Sequence, residues 1–216
     1  MGETDAPGRA QMRIFLARHG RTALNARGVL RGRLDPSLDP VGGREAMRLG
    51  AILASLGASD VVSSPLRRAV ETAAEVASRV GAEVRIDTLL ADRDYGRWAG
   101  RTREEIERRW GSVDEAPGVE PLDEVRSRAL EALEEARRGC RSRAVLVSHD
   151  VVNRTILATL DPEIGDSDSI PQRTGCFNVL DWSGGRWTVV AVDQVAPVEW
   201  PTDPRDAAPG HHAREP

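Results

Sequence analysis

The sequence contains no lysine, so all 30 basic residues are arginines, and 34 acidic residues outnumber them. The resulting formal net charge of −4 argues against a nucleic-acid-binding protein, because such proteins usually carry a basic face. The sequence also lacks an apolar run of the ~20 residues that a membrane-spanning helix needs. We therefore expect a soluble cytoplasmic protein that binds neither nucleic acid nor membranes.

Cysteine and histidine are also scarce. The two cysteines, Cys140 and Cys176, are isolated in the sequence, so neither a CxxC redox pair nor a zinc ligand set is available. Two of the four histidines lie in the proline-rich C-terminal segment, which leaves His19 and His149 far apart in the rest of the chain. We therefore expect no metal site and no cofactor.

The chain of 216 residues is long enough to bury a hydrophobic core without disulfides. Its first residues are polar, and its last twenty are rich in proline and charge. We therefore predict a single domain over residues 12–196, a disordered extension over residues 1–11 and a flexible tail over residues 197–216.

Short apolar runs alternate with segments of helical periodicity between these ends. The apolar runs predict strands over residues 13–17, 60–63, 84–86, 144–148, 176–182 and 186–195. Apolar residues at helical spacing predict helices over residues 43–56, 65–80, 102–110, 122–138 and 151–160. This alternation is typical of an α/β three-layer sandwich, with helices on both faces of a mostly parallel sheet. Ser183-Gly184-Gly185 predicts a closing β-hairpin with an antiparallel edge strand, at which two copies could pair as a homodimer.

Two histidines directly follow predicted buried strands. His19 comes after RIFLAR, and His149 comes after AVLVS. Ligands of parallel sheets bind at the carboxyl ends of the strands, so both side chains are expected at one edge. One histidine at such a place is more often structural than catalytic, but two indicate a functional site. Arg18 precedes His19, and Gly20 after it has no side chain to keep a ligand from the backbone.

A pair of arginines is predicted at the start of the helix over residues 65–80. Ser64 and Pro65 are typical of an N-cap and a first helical position, which places Arg67 and Arg68 in the first turn. The helix dipole disfavours cations there. Either a bound anion offsets this conflict through bidentate hydrogen bonds, or the two arginines are simply solvated.

Five segments resemble, in order, the motifs of the histidine phosphatase superfamily, which includes the cofactor-dependent phosphoglycerate mutases. The segment RHGRTALN (18–25) resembles RHGxTxxN, RGRLDPSLDPVGGREA (31–46) resembles QGxxDxPLTxxGxxQA, SSPLRRAVETA (63–73) resembles SxLxRAxxTA, LADRDYGRWAG (90–100) resembles LxExxxGxWEG, and VLVSHD (145–150) resembles VSHG. Five motifs in one order are far more specific than any one of them, so the chain is identified as a member of this superfamily.

The resemblance implies a site for phosphoryl transfer. His19 would be the nucleophile, and it would form a phosphohistidine that water then hydrolyses. Arg18, Arg67 and His149 would hold the oxygens of the phosphoryl group, with a neutral hydrogen bond from Asn25. Because phosphoryl transfer depends mostly on position and charge, a ring of fixed donors can support it without a metal.

The family's general acid is a glutamate, and Asp92 stands at the matching position. A carboxyl group that is one methylene shorter can still protonate a leaving alkoxide if its surroundings favour the protonated form. Asp94 is the alternative proton donor, although its place in the motif indicates a structural role.

Two further positions depart from the family pattern near the site. Arg31 stands where relatives usually have glutamine. It either contacts a second anionic group of the substrate, such as a carboxylate or another phosphate, or is a solvated loop arginine. Asp150 replaces a glycine after the second histidine, and since it would repel phosphate, we expect its side chain to cap the following helix and point away.

The stretch between Asp92 and His149 is shorter than in the mutases, which carry an insertion with basic residues that hold phosphoglycerate. Here the segment 110–122 is acidic and contains proline. We therefore predict a phosphoric monoester hydrolase of the histidine acid phosphatase type, acting on a small phosphorylated metabolite. A phosphoglycerate mutase-type phosphotransferase and a non-catalytic relative that binds phosphorylated ligands are the alternatives.

Overall fold

The computed structural model describes residues 11–196. The predicted N-terminal extension up to residue 10 and the predicted tail over residues 197–216 lie outside the described residues. The domain boundaries stay a prediction.

Six strands form one sheet within the described part of the chain. They are β1 (Met12–Arg18), β2 (Asp60–Ser63), β3 (Val84–Ile86), β4 (Arg143–Ser148), β5 (Phe177–Ser183) and β6 (Arg186–Gln194), in the spatial order β3-β2-β4-β1-β5-β6. The first four strands run parallel, whereas β5 is antiparallel to β1 and β6 is antiparallel to β5. The predicted α/β fold with an antiparallel hairpin at one edge is confirmed.

Helices connect the parallel strands. They are α1 (Ala23–Ala26), α2 (Pro40–Ser55), α3 (Arg67–Val80), α4 (Arg103–Trp110), α5 (Leu122–Gly139) and α6 (Asp150–Leu160). The short α1 is absent from the sequence prediction, since four residues carry no measurable periodicity. None of the helices described is long and apolar enough to cross a membrane.

The core lies in two layers, one on each face of the sheet. Along β1, Ile14 and Leu16 join a cluster with the buried residues of α5 and α6. Phe15 and Ala17 join a second cluster with the buried residues of α2 and α3. Successive side chains of a strand point to opposite faces, so a strand between two helical layers must be apolar throughout. This explains the continuous apolar run that predicts β1.

A third, smaller apolar cluster is formed by the chain between β3 and α5. Its buried members are Tyr95, Ile106, Val113 and Ala116. Leu30, from the loop over residues 27–39, packs against it, and Val29 forms an antiparallel bridge with Thr102. The loop between α1 and α2 is therefore anchored to this cluster rather than free in solvent.

Candidate active site

Two adjacent parallel strands bring the histidines together. In the register of β1 and β4, Arg18 is paired with Ser148, so His19 and His149 leave the sheet at the same edge. Both side chains are fully buried, and their ring centroids lie 5.1 Å apart. The expectation that the two histidines converge on one edge agrees with this geometry.

His19 is held as a neutral imidazole with one unprotonated nitrogen. Its Nδ1 lies 2.7 Å from the carbonyl oxygen of Gly20, which can only accept, so Nδ1 carries the proton and Nε2 keeps its lone pair. Burial holds the pKa of His19 well below its ordinary value of 6.5, and the positive charges of Arg68 and Arg18 lower it further. An uncharged ring with a lone pair on Nε2 has the form that a nucleophile needs.

Gly20 is required by packing rather than by a ligand. A Cβ at this position would lie 2.5 Å from the carbonyl oxygen of Gly42, at the start of α2. The backbone N–H of Gly20 donates to Oγ1 of Thr72 at 3.0 Å. The interpretation that Gly20 leaves room for a ligand is therefore wrong, because the backbone of α2 occupies that space.

Arg68, rather than the predicted Arg67, is the second arginine of the site. The side chain of Arg67 is 63% exposed, and its Nε donates to Oε1 of Glu71 at 2.9 Å. The side chain of Arg68 is fully buried, and its Nε donates to Nε2 of His19 at 3.2 Å. The prediction that Arg67 faces the phosphoryl group is wrong, because Arg67 lies on the solvent side of α3.

Two signals in the sequence favour Arg68. The arginine of the SxLxRAxxTA motif stands directly before alanine, and Arg68 is the residue that precedes Ala69. Arg68 also shares helical spacing with Thr72 and Val76, which are buried on the same face of α3. The helix begins at residue 67, two positions later than predicted, since Leu66 rather than Ser64 is the residue before it.

The guanidinium of Arg68 is fixed from several sides. Its Nη2 donates to Oδ2 of Asp92 at 2.9 Å and to the carbonyl oxygen of Gly32 at 2.9 Å. Its Nη1 donates to the carbonyl oxygen of Leu34 at 2.7 Å. Burial lowers the pKa of Arg68, whereas the charge of Asp92 opposes this shift. These contacts preorganise a cation beside His19.

Arg18 is a second buried arginine, directly before His19 in the chain. It is buried, with Nη1 bonded to the carbonyl oxygen of Gln172 and 3.6 Å from Oδ1 of Asp150. Its Nε is buried without a hydrogen-bond partner among the residues that the structure describes. Burial lowers the pKa of Arg18, and the negative charge of Asp150 opposes this shift. Arg18 thus keeps one donor free next to His19.

His149 shares its environment with Ser64 and Asp92. Its Nε2 lies 2.7 Å from Oγ of Ser64, and its Nδ1 lies 3.9 Å from Oδ2 of Asp92, without a hydrogen-bond partner in the described chain. Burial holds the pKa of His149 well below 6.5, and the charge of Arg68 lowers it further. Ser64, which is predicted as the N-cap of α3, is instead a polar neighbour of the second histidine.

The two candidate proton donors have different surroundings. Asp92 is buried beside His149 and Arg68, and its Oδ1 accepts a hydrogen bond from the backbone N–H of Arg93 at 2.9 Å. The carboxylate of Asp94 instead accepts from the backbone N–H of Gly96 at 2.7 Å, within a turn. Only Asp92 touches the cluster around the histidines.

Asn25 and Arg31 lie on the segment between β1 and α2. Oδ1 of Asn25 accepts from the backbone N–H of Thr22 at 3.0 Å, so its carbonyl forms the capping box of α1. Arg31 is partly buried, its Nη1 donates to the carbonyl oxygen of Val29 at 3.2 Å, and its Nε is buried without a partner in the described chain. The structure shows a structural role for Asn25, and its part in substrate binding stays a prediction.

Asp150 differs from the expectation. Its side chain makes no capping hydrogen bond to α6 and instead accepts from Nε of Arg154 at 2.8 Å. It lies 3.6 Å from Nη1 of Arg18, so its carboxylate is close to the site rather than turned away from it. The carboxylate of Asp150 lies between the positive charges of Arg18 and Arg154, which attract it.

Buried side-chain nitrogens without a hydrogen-bond partner in the described chain occur both at the site and elsewhere. At the site they are Nε of Arg18, Nε of Arg31 and Nδ1 of His149, and the others belong to Arg48, Arg79 and Trp110. Buried polar groups are normally hydrogen-bonded, so the unpartnered arginine donors at the site are available to an anion. Within residues 11–196, no three His, Cys, Asp or Glu side chains are grouped as metal ligands would be.

Comparison with known proteins identifies relatives of this chain. The family model of the histidine phosphatase superfamily (branch 1) matches residues 14–194. A protein of Mycobacterium tuberculosis named as bifunctional is 33% identical over 163 residues, which cover 71% of this chain and 45% of that protein. The chain thus spans less than half the length of this relative.

Two further relatives are matched by this chain over most of their length. A probable phosphoglycerate mutase of Salmonella paratyphi C is 31% identical over 162 residues, covering 69% of this chain and 74% of that protein. A mycobacterial glucosyl-3-phosphoglycerate phosphatase, solved in complex with VO3, has a TM-score of 0.74 and 26% identity, covering 86% of this chain and 99% of that one. With the family model matched over nearly all of the described residues, the chain belongs to the histidine phosphatase superfamily, branch 1.

Proposed function

We propose that this protein is a phosphatase that hydrolyses a small phosphate monoester through a phosphohistidine at His19, without a metal ion. The observation that carries the proposal is the state of His19, a buried neutral imidazole whose Nε2 lone pair faces the guanidinium of Arg68 at 3.2 Å. A phosphoryl group that binds this guanidinium would lie beside the nucleophile.

In the first step, Nε2 of His19 attacks the phosphorus atom, a nitrogen–phosphorus bond forms, and the ester oxygen–phosphorus bond breaks. The leaving alkoxide takes a proton from Asp92. In the second step, water attacks the phosphohistidine and gives a proton to Asp92, and the nitrogen–phosphorus bond breaks. Inorganic phosphate is released, and His19 recovers its lone pair.

Arg18, Arg68 and His149 stabilise the charge on the phosphoryl oxygens during both steps. They are buried, so their interactions with an anion are stronger than in water, and their contacts with the protein hold them in place before substrate binds. The lowered pKa of His19 keeps the nucleophile uncharged at neutral and mildly acidic pH.

Asp92 is the proton donor that this geometry favours. Its Oδ2 lies 2.9 Å from Nη2 of Arg68 and 3.9 Å from Nδ1 of His149. We therefore favour Asp92 as the general acid, although its side chain is one methylene shorter than that of glutamate.

Relatives support both hydrolysis and mutase chemistry. The structural relative is a glucosyl-3-phosphoglycerate phosphatase, and a sequence relative is a probable phosphoglycerate mutase. The chain between α4 and α5 carries Asp114, Glu115 and Glu120 but no arginine, so it is poorly suited to hold a phosphoglycerate anion. We therefore favour hydrolysis. Faster interconversion of phosphoglycerates than release of inorganic phosphate would favour the mutase instead.

The proposal is tested with p-nitrophenyl phosphate and the His19→Ala variant in the presence of EDTA. We expect hydrolysis by the wild type and background rates in the variant, because the variant has no nucleophile. Acid-labile, base-stable phosphate on the wild-type protein after quenching would report the phosphohistidine. Equal rates in the two proteins would contradict catalysis at His19 and favour a non-catalytic phospho-ligand-binding protein.

A further inference from the structure

Asp150 places a negative charge beside an arginine of the site. Its Oδ1 lies 3.6 Å from Nη1 of Arg18, and the side chains of Arg18 and Asp150 are only 10% and 26% exposed. Charges that are partly buried are screened less than charges on the surface. The carboxylate therefore reduces the attraction between Arg18 and any other anion, whereas the proposed reaction gives this carboxylate no role.

A second arginine holds Asp150 in this position. Arg154, one turn further along α6, donates from Nε to Oδ1 of Asp150 at 2.8 Å. Nη1 of Arg154 in turn donates to the carbonyl oxygen of Ser167 at 3.2 Å, which fixes its guanidinium. The carboxylate thus has a fixed partner and stays beside Arg18. Two arginines and one carboxylate leave one net positive charge here, and without the carboxylate this charge would double.

Arg18 is fixed as well, and it keeps a donor for a ligand. Its Nη1 bonds the carbonyl oxygen of Gln172, whose buried side chain donates from Nε2 to Oδ1 of Asn178 at 2.7 Å. Nδ2 of Asn178 donates to the carbonyl oxygen of Leu16 on β1 at 2.9 Å. Among the described residues, Arg18 contacts its acceptors through Nη1, and its Nε has no partner. Asp150 therefore offsets the charge of Arg18 without occupying this donor.

Hydrolysis releases a product that resembles the reacting group of the substrate. Inorganic phosphate and a phosphate monoester both carry up to about two negative charges near neutral pH, so fixed positive charges attract both of them. Binding that is equally strong before and during the reaction does not raise kcat, and slow release of product limits many enzymes. Two buried arginines therefore allow faster turnover when carboxylates offset part of their charge. Asp92 lies 2.9 Å from Arg68, and Asp150 is the corresponding carboxylate for Arg18.

We propose that Asp150 weakens the binding of phosphate at Arg18 and thereby speeds the release of inorganic phosphate. Asp150 acts through Arg18 and takes no part in the transfer of the phosphoryl group, so it sets the affinity of the site rather than its chemical steps. This proposal rests on the proposed phosphatase function. It explains why a carboxylate, which repels phosphate, lies next to an arginine that binds it.

The experiment measures the inhibition constant of inorganic phosphate against hydrolysis of p-nitrophenyl phosphate, together with kcat and KM, at constant pH and ionic strength. The variants are Asp150→Asn, which keeps the size of the side chain, and Asp150→Gly, which introduces the residue of the superfamily motif. Asp181→Asn is the matched control. Asp181 is 32% exposed and lies 2.7 Å from Nη2 of Arg13 at the other end of β1, so this variant loses the same charge from a similar pair away from the site.

We expect both Asp150 variants to bind inorganic phosphate more tightly, with an inhibition constant about 3- to 30-fold lower, because one partly buried negative charge is removed. KM for p-nitrophenyl phosphate should fall as well, whereas kcat should stay equal or fall, because the product leaves more slowly. Asp181→Asn should change each value by less than about 2-fold.

A gain of affinity distinguishes the charge of Asp150 from a structural role, because damage to the site would weaken binding instead. Circular dichroism verifies that each variant is folded, and Asp150→Gly decides if Asp150→Asn does not fold. An unchanged inhibition constant in a folded variant would show that the carboxylate does not influence phosphate binding. A higher one would show that Asp150 holds Arg18 in its binding position. Either result overturns the proposal.

A direct binding measurement separates this proposal from the proposed function. If the wild type does not hydrolyse p-nitrophenyl phosphate, the phosphatase function fails, but isothermal titration calorimetry with inorganic phosphate still measures Kd for the wild type and the variants. A lower Kd in Asp150→Asn, with an unchanged Kd in Asp181→Asn, would support the role of Asp150. An equal or higher Kd in Asp150→Asn, or no binding by either protein, would overturn it.

Discussion

The buried arginines at the sheet edge and the arginines on the helix surfaces have the same chemistry but different roles. Arg68 has no exposed side-chain surface and contacts the imidazole of His19, the carboxylate of Asp92 and two carbonyl oxygens. Its neighbour Arg67 is 63% exposed and pairs with Glu71 one turn along the helix. A buried cation without its partners is costly, whereas an exposed pair is solvated with or without its contact. Burial therefore separates Arg68 from Arg67 in a chain where every basic residue is arginine.

A large effect on activity is expected from comparing these two neighbours. Arg68→Gln should lower kcat/KM for p-nitrophenyl phosphate by at least about 10²-fold, the cost of removing one donor that stabilises a transition state, whereas Arg67→Gln should change it by less than about 3-fold. Steady-state kinetics of both variants checks this. Arg68→Gln could also destabilise the core. The variant Arg68→Lys keeps the positive charge, and it is therefore used as the reference for a folded protein. Similar losses in Arg67→Gln and Arg68→Gln would refute the assignment.

The two aspartates extend the comparison to proton transfer. Asp92→Asn should lower the hydrolysis of an alkyl phosphate such as glycerol 3-phosphate by about 10²- to 10⁴-fold, because an alkoxide must be protonated as it leaves. The loss should be much smaller for p-nitrophenyl phosphate, since nitrophenolate leaves without a proton. Asp94→Asn is the matched control, and its turn lies outside the histidine cluster. An equal loss on both substrates would indicate a structural role for Asp92.

The buried histidines should make stability depend on pH. Their folded pKa values lie well below 6.5, so as pH falls below about 6.5 the unfolded chain binds protons that the folded chain does not. The free energy of unfolding should therefore fall by up to about 1.4 kcal/mol per pH unit for each histidine. Urea unfolding at several pH values between 7.5 and 5.5 measures this slope.

His149→Gln provides the reference for that measurement. Glutamine can still hydrogen-bond Ser64 but does not titrate, so the variant should lose less stability than the wild type over the same range of pH. Parallel curves of unfolding free energy against pH for the two proteins would mean that His149 titrates in the folded state as it does in the unfolded chain.

The smallest expected effect lies on the surface. Glu104 and Arg108 form a 3.1 Å pair on α4, with side chains 84% and 69% exposed. Glu104→Gln should change the free energy of unfolding by no more than about 0.5 kcal/mol, because solvent already screens the pair. Chemical denaturation checks this value, and a loss of several times this size would mean that surface arginines matter more than their exposure indicates.

Much of the framework could be predicted from the sequence. The predicted strands over residues 60–63 and 84–86 match β2 and β3, and continuous apolar runs reveal strands that are buried on both faces. The positions of His19 and His149 directly after such runs also predict their meeting at one edge, because parallel strands end on the same side of a sheet. The local sequence pattern is enough to predict an element wherever its periodicity specifies which of its residues are buried.

The details of the site were less accessible. The choice between Arg67 and Arg68 depends on which face of α3 each residue occupies. The predicted helix begins two residues too early, so it does not identify that face at the first turn. The position of Asp150 depends on Arg18 and Arg154, which reach it from a strand end and from the next turn of α6. Such contacts join residues whose directions are set by separate elements, so no local pattern contains them.

The sequence by itself determined the α/β class, the family and the edge of the sheet at which two histidines meet. Only the tertiary structure decided which arginine contacts His19, which nitrogen of that ring carries the proton and why Gly20 is needed. The physical reason is that periodicity specifies which residues are buried, whereas hydrogen-bond partners, charge and close backbone contacts arise when distant segments pack together.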